Sequence, residues 1–110
     1  MTILDKIIER KKQEIADSKS EISLEQLKDS EFFERTTFSL KQTLKSKSGI
    51  ITEFKRKSPS KGIINDKVSP LEVVSQYEKF GASAVSILTD KDFFGGSFED
   101  ILSVRNHINI

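Results

Sequence analysis

A strand, a helix and a second strand follow one another in the second half of the chain, and this order restricts the fold more than any other feature. Residues 50–54 (IITEF) are β-branched and aromatic, as strands are, and Ser69 followed by Pro70 is a helix start signal. The helix is predicted to end at Gly81, and residues 82–89 (ASAVSILT) then form an apolar strand. Because strands joined through a helix run parallel with a right-handed crossover, the sequence predicts an α/β fold.

Helix signals flank this unit on both sides. Residues 2 to about 18 carry a capping-box start signal and apolar residues at roughly helical spacing. A second start signal lies at Ser23, and a third, at Ser97, begins a helix after the second strand. We therefore predict a helical N-terminal extension over residues 1–48 and the first β-α-β-α units over residues 49–110.

Two parallel strands with unpaired edges are a poor endpoint for a domain. The segment after the last predicted helix, residues 107–110, resembles a loop that enters a third strand. We therefore expect a chain truncated before strand three, and we expect it to self-associate through its open strand edges.

Composition excludes several classes of site. The chain has no cysteine, which rules out a disulfide framework, a thiolate zinc site and a cysteine nucleophile. His107 is the only histidine, so no metal site is predicted, and the formal net charge of +1 argues against a nucleic-acid partner. Charges at Asp5 and Lys6 precede any apolar run, so we predict neither a signal peptide nor a membrane segment, and a cytoplasmic location.

Two charged residues, Glu53 and Lys55, lie at the end of the first predicted strand. Side chains two apart on a strand share a face, so Ile51, Glu53 and Lys55 point one way and Ile50 and Phe54 point to the helix-covered side. In parallel α/β folds, ligands bind at the carboxyl ends of strands. Glu53 and Lys55 are therefore candidates for an acid/base or substrate-binding pair, and the alternative is a strand end whose charges are simply solvated.

Two loops follow the predicted strands. The first carries four cations within residues 55–61, next to serines and Gly62, which suits a phosphate or a carboxylate, although such basic loops are also often only solvated. The second, residues 92–97, places Phe93 and Phe94 beside two glycines. These rings either pack on a flat ligand or form a small apolar cluster of their own.

Residues 53–62 (EFKRKSPSKG) closely resemble the active-site segment of the indole-3-glycerol phosphate synthase family. A second match runs from Tyr77 through Ser97, and the start of the chain is similar to the N-terminal extension of that family. The resemblance covers essentially all 110 residues. It implies the N-terminal part of a (β/α)8 (TIM) barrel, with the helical extension covering the mouth of the barrel.

The resemblance also implies an activity. The family comprises carbon–carbon lyases (carboxy-lyases) of tryptophan biosynthesis that use no metal or organic cofactor. They close the ring of a small phosphorylated substrate, 1-(2-carboxyphenylamino)-1-deoxyribulose 5-phosphate, with loss of CO₂ and water. By motif, Glu53 and Lys55 are the catalytic residues, and Ser58 and Phe94 bind substrate. Because the general-acid lysine of the family belongs to strand three, we expect these 110 residues to be inactive alone.

Two other interpretations stay open from the sequence. One is another phosphate-binding barrel enzyme, such as a related isomerase of tryptophan or histidine synthesis. The other is a non-catalytic module whose basic loop binds an anionic partner while its helices mediate self-association.

Overall fold

A computed structural model describes all 110 residues, which form two compact units, Met1–Thr37 and Phe38–Ile110. It confirms the predicted α/β class. The elements are α1 (Ile3–Glu21), α2 (Leu24–Lys28), α3 (Leu40–Ser46), β1 (Ile51–Phe54), β2 (Lys57–Ser58), β3 (Gly62–Ile63), α4 (Pro70–Lys79), β4 (Ala84–Ile87) and α5 (Phe98–Arg105).

The first unit contains α1 and α2, and both helices begin at the capping boxes expected from the sequence. The Asp5 carboxylate accepts a hydrogen bond from the Thr2 backbone N–H at 2.7 Å, and this bond and one from the Thr2 hydroxyl lower the pKa of Asp5. Neither helix buries a side chain. None of the helices in the chain is both long enough and apolar enough to span a membrane.

The second unit is organised by the predicted strand–helix–strand order. Strands β1 and β4 pair in parallel, with Glu53 opposite Ser86 and Phe54 opposite Ile87, and α4 lies between them in the chain. Ser69 caps α4 in a reciprocal capping box, and Gly81 follows the helix at φ +97°, a conformation that glycine adopts without strain. These signals were predicted because each depends only on residues close in sequence.

A small apolar core joins β1 to α4 and α5. Its buried members are Phe54, Val74, Val104 and Ile108. The predicted inward direction of Phe54 is therefore confirmed, but Ile50, predicted to share that side, is 58% exposed. Phe80, which helical spacing predicts on the apolar stripe of the helix that begins at Ser69, is 81% exposed. Ile50 precedes β1 and Phe80 follows α4, so both lie beyond the narrow layer that two strands can cover.

Three details differ from the expectations. The loop after β1 contains a two-residue hairpin, in which β2 pairs antiparallel with β3. Strand β4 is shorter than residues 82–89 and only half-buried, because β1 is its only neighbour in the sheet. Helix α3 belongs to the second compact unit, which begins at Phe38, whereas the predicted N-terminal extension ran over residues 1–48 and included it.

Candidate functional site

Glu53 and Lys55 lie at the carboxyl end of β1 and form an ion pair. Lys55 Nζ is 3.2 Å from Glu53 Oε1, and the two side chains are 32% and 42% exposed, respectively. Because water reaches both groups, the pair contributes at most about 1 kcal/mol to stability. The structure thus brings the two predicted catalytic side chains together on one face of the strand.

The second carboxylate oxygen of Glu53 is occupied from the neighbouring strand. Ser86 Oγ donates a hydrogen bond to Glu53 Oε2 at 3.0 Å. The parallel register places these two residues directly opposite each other, so their side chains share a face of the sheet. The sequence did not single out Ser86, because only the strand register shows which residue faces Glu53. Ser86 was one of three hydroxyl residues in the predicted strand.

Phe94 joins the pair from the loop after β4. Lys55 Nζ lies 5.8 Å from the centroid of the Phe94 ring, within the range of a weak cation–π contact. The loop is shaped by the Asp90 carboxylate, which accepts hydrogen bonds from the Phe93 and Phe94 backbone N–H groups at 2.7 and 3.1 Å. A carboxylate, an ammonium group, a hydroxyl and an aromatic ring are therefore held together by two strand ends.

Ser58, the other predicted substrate-binding residue, has a different position. Its hydroxyl accepts a hydrogen bond from the Lys61 backbone N–H at 3.2 Å and lies 3.3 Å from the Ser60 hydroxyl. None of these hydrogen bonds reaches Glu53 or Lys55. Ser58 lies in the β2–β3 hairpin, and its role toward a substrate stays a prediction.

Arg56 is not a free cation of the basic loop. Its guanidinium binds the Asp100 carboxylate in a bidentate ion pair, with Nη2 2.8 Å from Oδ1 and Nη1 paired with Oδ2. Asp100 is 7% exposed and also accepts a hydrogen bond from the Ser97 N–H at 3.1 Å. The hydrogen bonds with Arg56 lower the pKa of Asp100 despite its burial, and they raise the pKa of Arg56. Arg56 was predicted to be one of the loop cations available to an anion, and this buried carboxylate partner shows that prediction to be wrong for Arg56.

The Arg56–Asp100 pair predicts a pH dependence of stability. The pKa of Asp100 is below its ordinary 3.8 when folded, so the pair stabilises the fold above that pH, and this stabilisation is lost as pH falls through the folded pKa. The raised pKa of Arg56 matters only in strong alkali. We expect the wild type to lose more free energy of unfolding between about pH 5 and about pH 2 than Asp100→Asn, measured by urea titration. Equal losses in the two proteins would contradict the pairing.

A cleft of about 430 Å³ opens beside the end of β1. It is lined by Glu53, Lys55, Asn65 and Tyr77, together with Phe54, Ile64, Val68 and Val73. The carboxylate can accept or return a proton, and the ammonium group can bind an anion. The chain has no cluster of three or more histidine, aspartate or glutamate side chains that could hold a metal ion.

A parallel strand–helix–strand unit with ionic groups at the carboxyl end of its sheet defines the class as an α/β protein with a polar site at that edge. A sequence model of the indole-3-glycerol phosphate synthases matches residues 4–110. The chain therefore belongs to the indole-3-glycerol phosphate synthase family.

Individual relatives carry the same description, "Indole-3-glycerol phosphate synthase". The protein of Bacteroides thetaiotaomicron is 47% identical over 109 residues, which cover 98% of this chain and 42% of the relative. The protein of Bacillus cereus is 46% identical over 109 residues (99% and 40%), and that of Acinetobacter baylyi is 42% identical over 113 residues (99% and 41%). The chain thus spans about 40% of the length of the curated relatives it matches.

Proposed function

We propose that this chain supplies the first catalytic groups of an indole-3-glycerol phosphate synthase, a carboxy-lyase of tryptophan biosynthesis. The substrate is 1-(2-carboxyphenylamino)-1-deoxyribulose 5-phosphate. The reaction closes the second ring of the indole, with loss of CO₂ and water. The observation that carries the proposal is the Glu53–Lys55 pair at the carboxyl end of β1, with Phe94 against the lysine, in a chain of this family.

The chemistry suits these groups. Ring closure needs an acid that protonates the ribulose carbonyl, and dehydration needs an acid/base group. A carboxylate beside an ammonium group provides both a proton acceptor and a donor. We assign to Glu53 and Lys55 the part of this work that does not fall to the general-acid lysine of the third barrel strand, with the cation also drawn to the negative charge of the substrate. Phe94 offers an aromatic face to the anthranilate ring, and Ser58 offers a hydroxyl from the β2–β3 hairpin.

The fold of the whole protein is proposed as a (β/α)8 barrel, in which β1 and β4 are the first two barrel strands and residues 1–48 are the helical extension. About 250 residues are typical of such a barrel. We expect no turnover from residues 1–110 alone, because the family places its general-acid lysine on the third barrel strand. A cytoplasmic location stays a prediction from the sequence.

A chimera tests the proposal. Residues 1–110 replace the matching segment of the Bacteroides thetaiotaomicron relative, and the purified chimera is assayed with the aminodeoxyribulose phosphate and, separately, with the phosphoribosyl substrate of the related tryptophan-pathway isomerase. We expect formation of indole-3-glycerol phosphate from the first substrate only. Turnover of the second alone would favour another phosphate-binding barrel, and a folded chimera that turns over neither would favour the non-catalytic module.

We also propose that the chain by itself self-associates. The parallel sheet has only two strands, so β1 and β4 each present one edge with unpaired backbone groups. Sedimentation velocity over a range of protein concentrations should show species larger than the 12.5 kDa monomer. A compact monomer at every concentration would contradict this expectation.

A further inference from the structure

The bidentate Arg56–Asp100 pair joins the two segments that bear the candidate site. Arg56 directly follows Lys55, and Asp100 lies in the first turn of α5, which begins soon after Phe94. Arg56 Nη1 is also 3.5 Å from the carbonyl oxygen of Gly95, the residue after Phe94. The guanidinium therefore contacts the chain next to both partners of the Lys55–Phe94 contact.

The Glu53–Lys55 pair and the Arg56–Asp100 pair lie on opposite sides of the chain. Successive residues of an extended chain point to opposite sides, so Lys55 faces Glu53 and Phe94 while Arg56 turns toward the core. The Arg56 guanidinium carbon lies 5.1 Å from the centroid of the buried Phe54 ring. Arg56 thus binds Asp100 on the side of the chain opposite to Lys55.

The site contacts are too weak to fix their own geometry. The Glu53–Lys55 pair is partly exposed, and the Lys55–Phe94 contact is at the outer limit of the cation–π range. The Arg56–Asp100 pair, by contrast, is bidentate and largely buried, and a planar guanidinium fork fixes both distance and orientation. The Arg56–Asp100 pair is thus the strongest side-chain contact between the two segments.

We propose that Arg56 and Asp100 are positioning residues, which hold Lys55 against Phe94 by fastening the end of β1 to the start of α5. The catalytic meaning of this placement rests on the proposed function, but the placement itself does not. Losing the fork should let the Phe94 loop move away from Lys55 while the rest of the fold persists.

Nuclear Overhauser contacts between the Lys55 ε-methylene and the Phe94 ring protons test the placement in the 110-residue chain. Arg56→Lys keeps the charge but removes the fork, and Asp100→Asn keeps the shape but removes the carboxylate. Arg105→Lys is the matched control, because Arg105 is also a half-buried guanidinium, which donates to the Ile108 and Ile110 carbonyl oxygens at 2.9 and 3.0 Å. We expect both site variants to lose the cross-peaks and the control to keep them.

Cross-peaks that persist in a folded Arg56→Lys or Asp100→Asn protein would overturn the proposal, as would their equal loss in Arg105→Lys. If Arg56→Lys fails to fold, the Lys55–Phe94 cross-peaks of Asp100→Asn still show whether the ion pair holds the two residues together. In the chimera, the same site variants should lower kcat more than they change KM. An inactive wild-type chimera would count against the proposed function while the cross-peaks still decide the positioning role.

Discussion

Replacing Gly96 with alanine is expected to lower the free energy of unfolding by about 3 kcal/mol or more, one of the two largest effects that the structure predicts. A Cβ atom at this position would lie 1.8 Å from the Leu88 carbonyl oxygen and 2.9 Å from Thr89 Cα. These are backbone atoms of the segment directly after β4, so no side-chain rotation can relieve the overlap. The loop that carries Phe94 would have to leave the strand. Urea unfolding followed by circular dichroism measures the loss.

Gly62→Ala is the matched control for Gly96→Ala. Gly62 has φ +66°, but an added Cβ would meet no atom within 4 Å, so alanine there incurs only the backbone strain of about 1–2 kcal/mol. We therefore expect Gly96→Ala to be the more destabilising of the two. A Gly96→Ala protein as stable as the wild type would show that the loop does not approach β4 as described.

Replacing Lys55 with alanine in the chimera is expected to lower kcat by about 10²–10⁴-fold, the range for removal of a positioned proton-transfer group. The effect on stability should be small, at most about 1 kcal/mol, because the ion pair with Glu53 is partly exposed. Steady-state rates together with urea unfolding separate the two effects. A large loss of rate without a loss of folding would identify a catalytic role.

Lys79→Ala provides the control for charge. Lys79 is the last residue of α4, beside Phe80. It makes no hydrogen bond, ion pair or ring contact with Glu53, Lys55 or Phe94, and its replacement removes the same single charge. We expect its kcat to stay within about threefold of the wild type. If Lys55→Ala behaves like Lys79→Ala, then Lys55 is an ordinary solvated lysine, and the catalytic assignment is wrong.

The parts of the fold that the sequence predicted are those fixed by neighbours in the chain. The capping box from Ser69 to Glu72 and the helix end at Gly81 depend on residues within one helical turn, and both are as expected. Alternation along β1 likewise placed Phe54 in the core and Glu53 beside Lys55. Local chemistry was enough for these features because no distant residue had to be known.

The parts that the sequence missed depend on distant residues. Arg56 and Asp100 are separated by 44 positions. Arg56 lies in the basic loop and Asp100 at the start of α5, and neither local pattern indicates that the two side chains pair. Ser86 faces Glu53 only through the register of β4 on β1, which no local pattern specifies. The short hairpin formed by β2 and β3 was also missed, since two-residue strands carry too few side chains to show alternation.

A double-mutant cycle on Glu53 and Lys55 in the chimera tests the central claim most directly, namely that this ion pair is one catalytic unit of the synthase. Rates of indole-3-glycerol phosphate formation are measured for the wild type, Glu53→Gln, Lys55→Ala and the double variant. Because groups that act together are strongly non-additive, we expect each single variant to lose most of the rate and the double variant to be little slower. Near-wild-type rates in both single variants, or losses that simply multiply in the double variant, would contradict it.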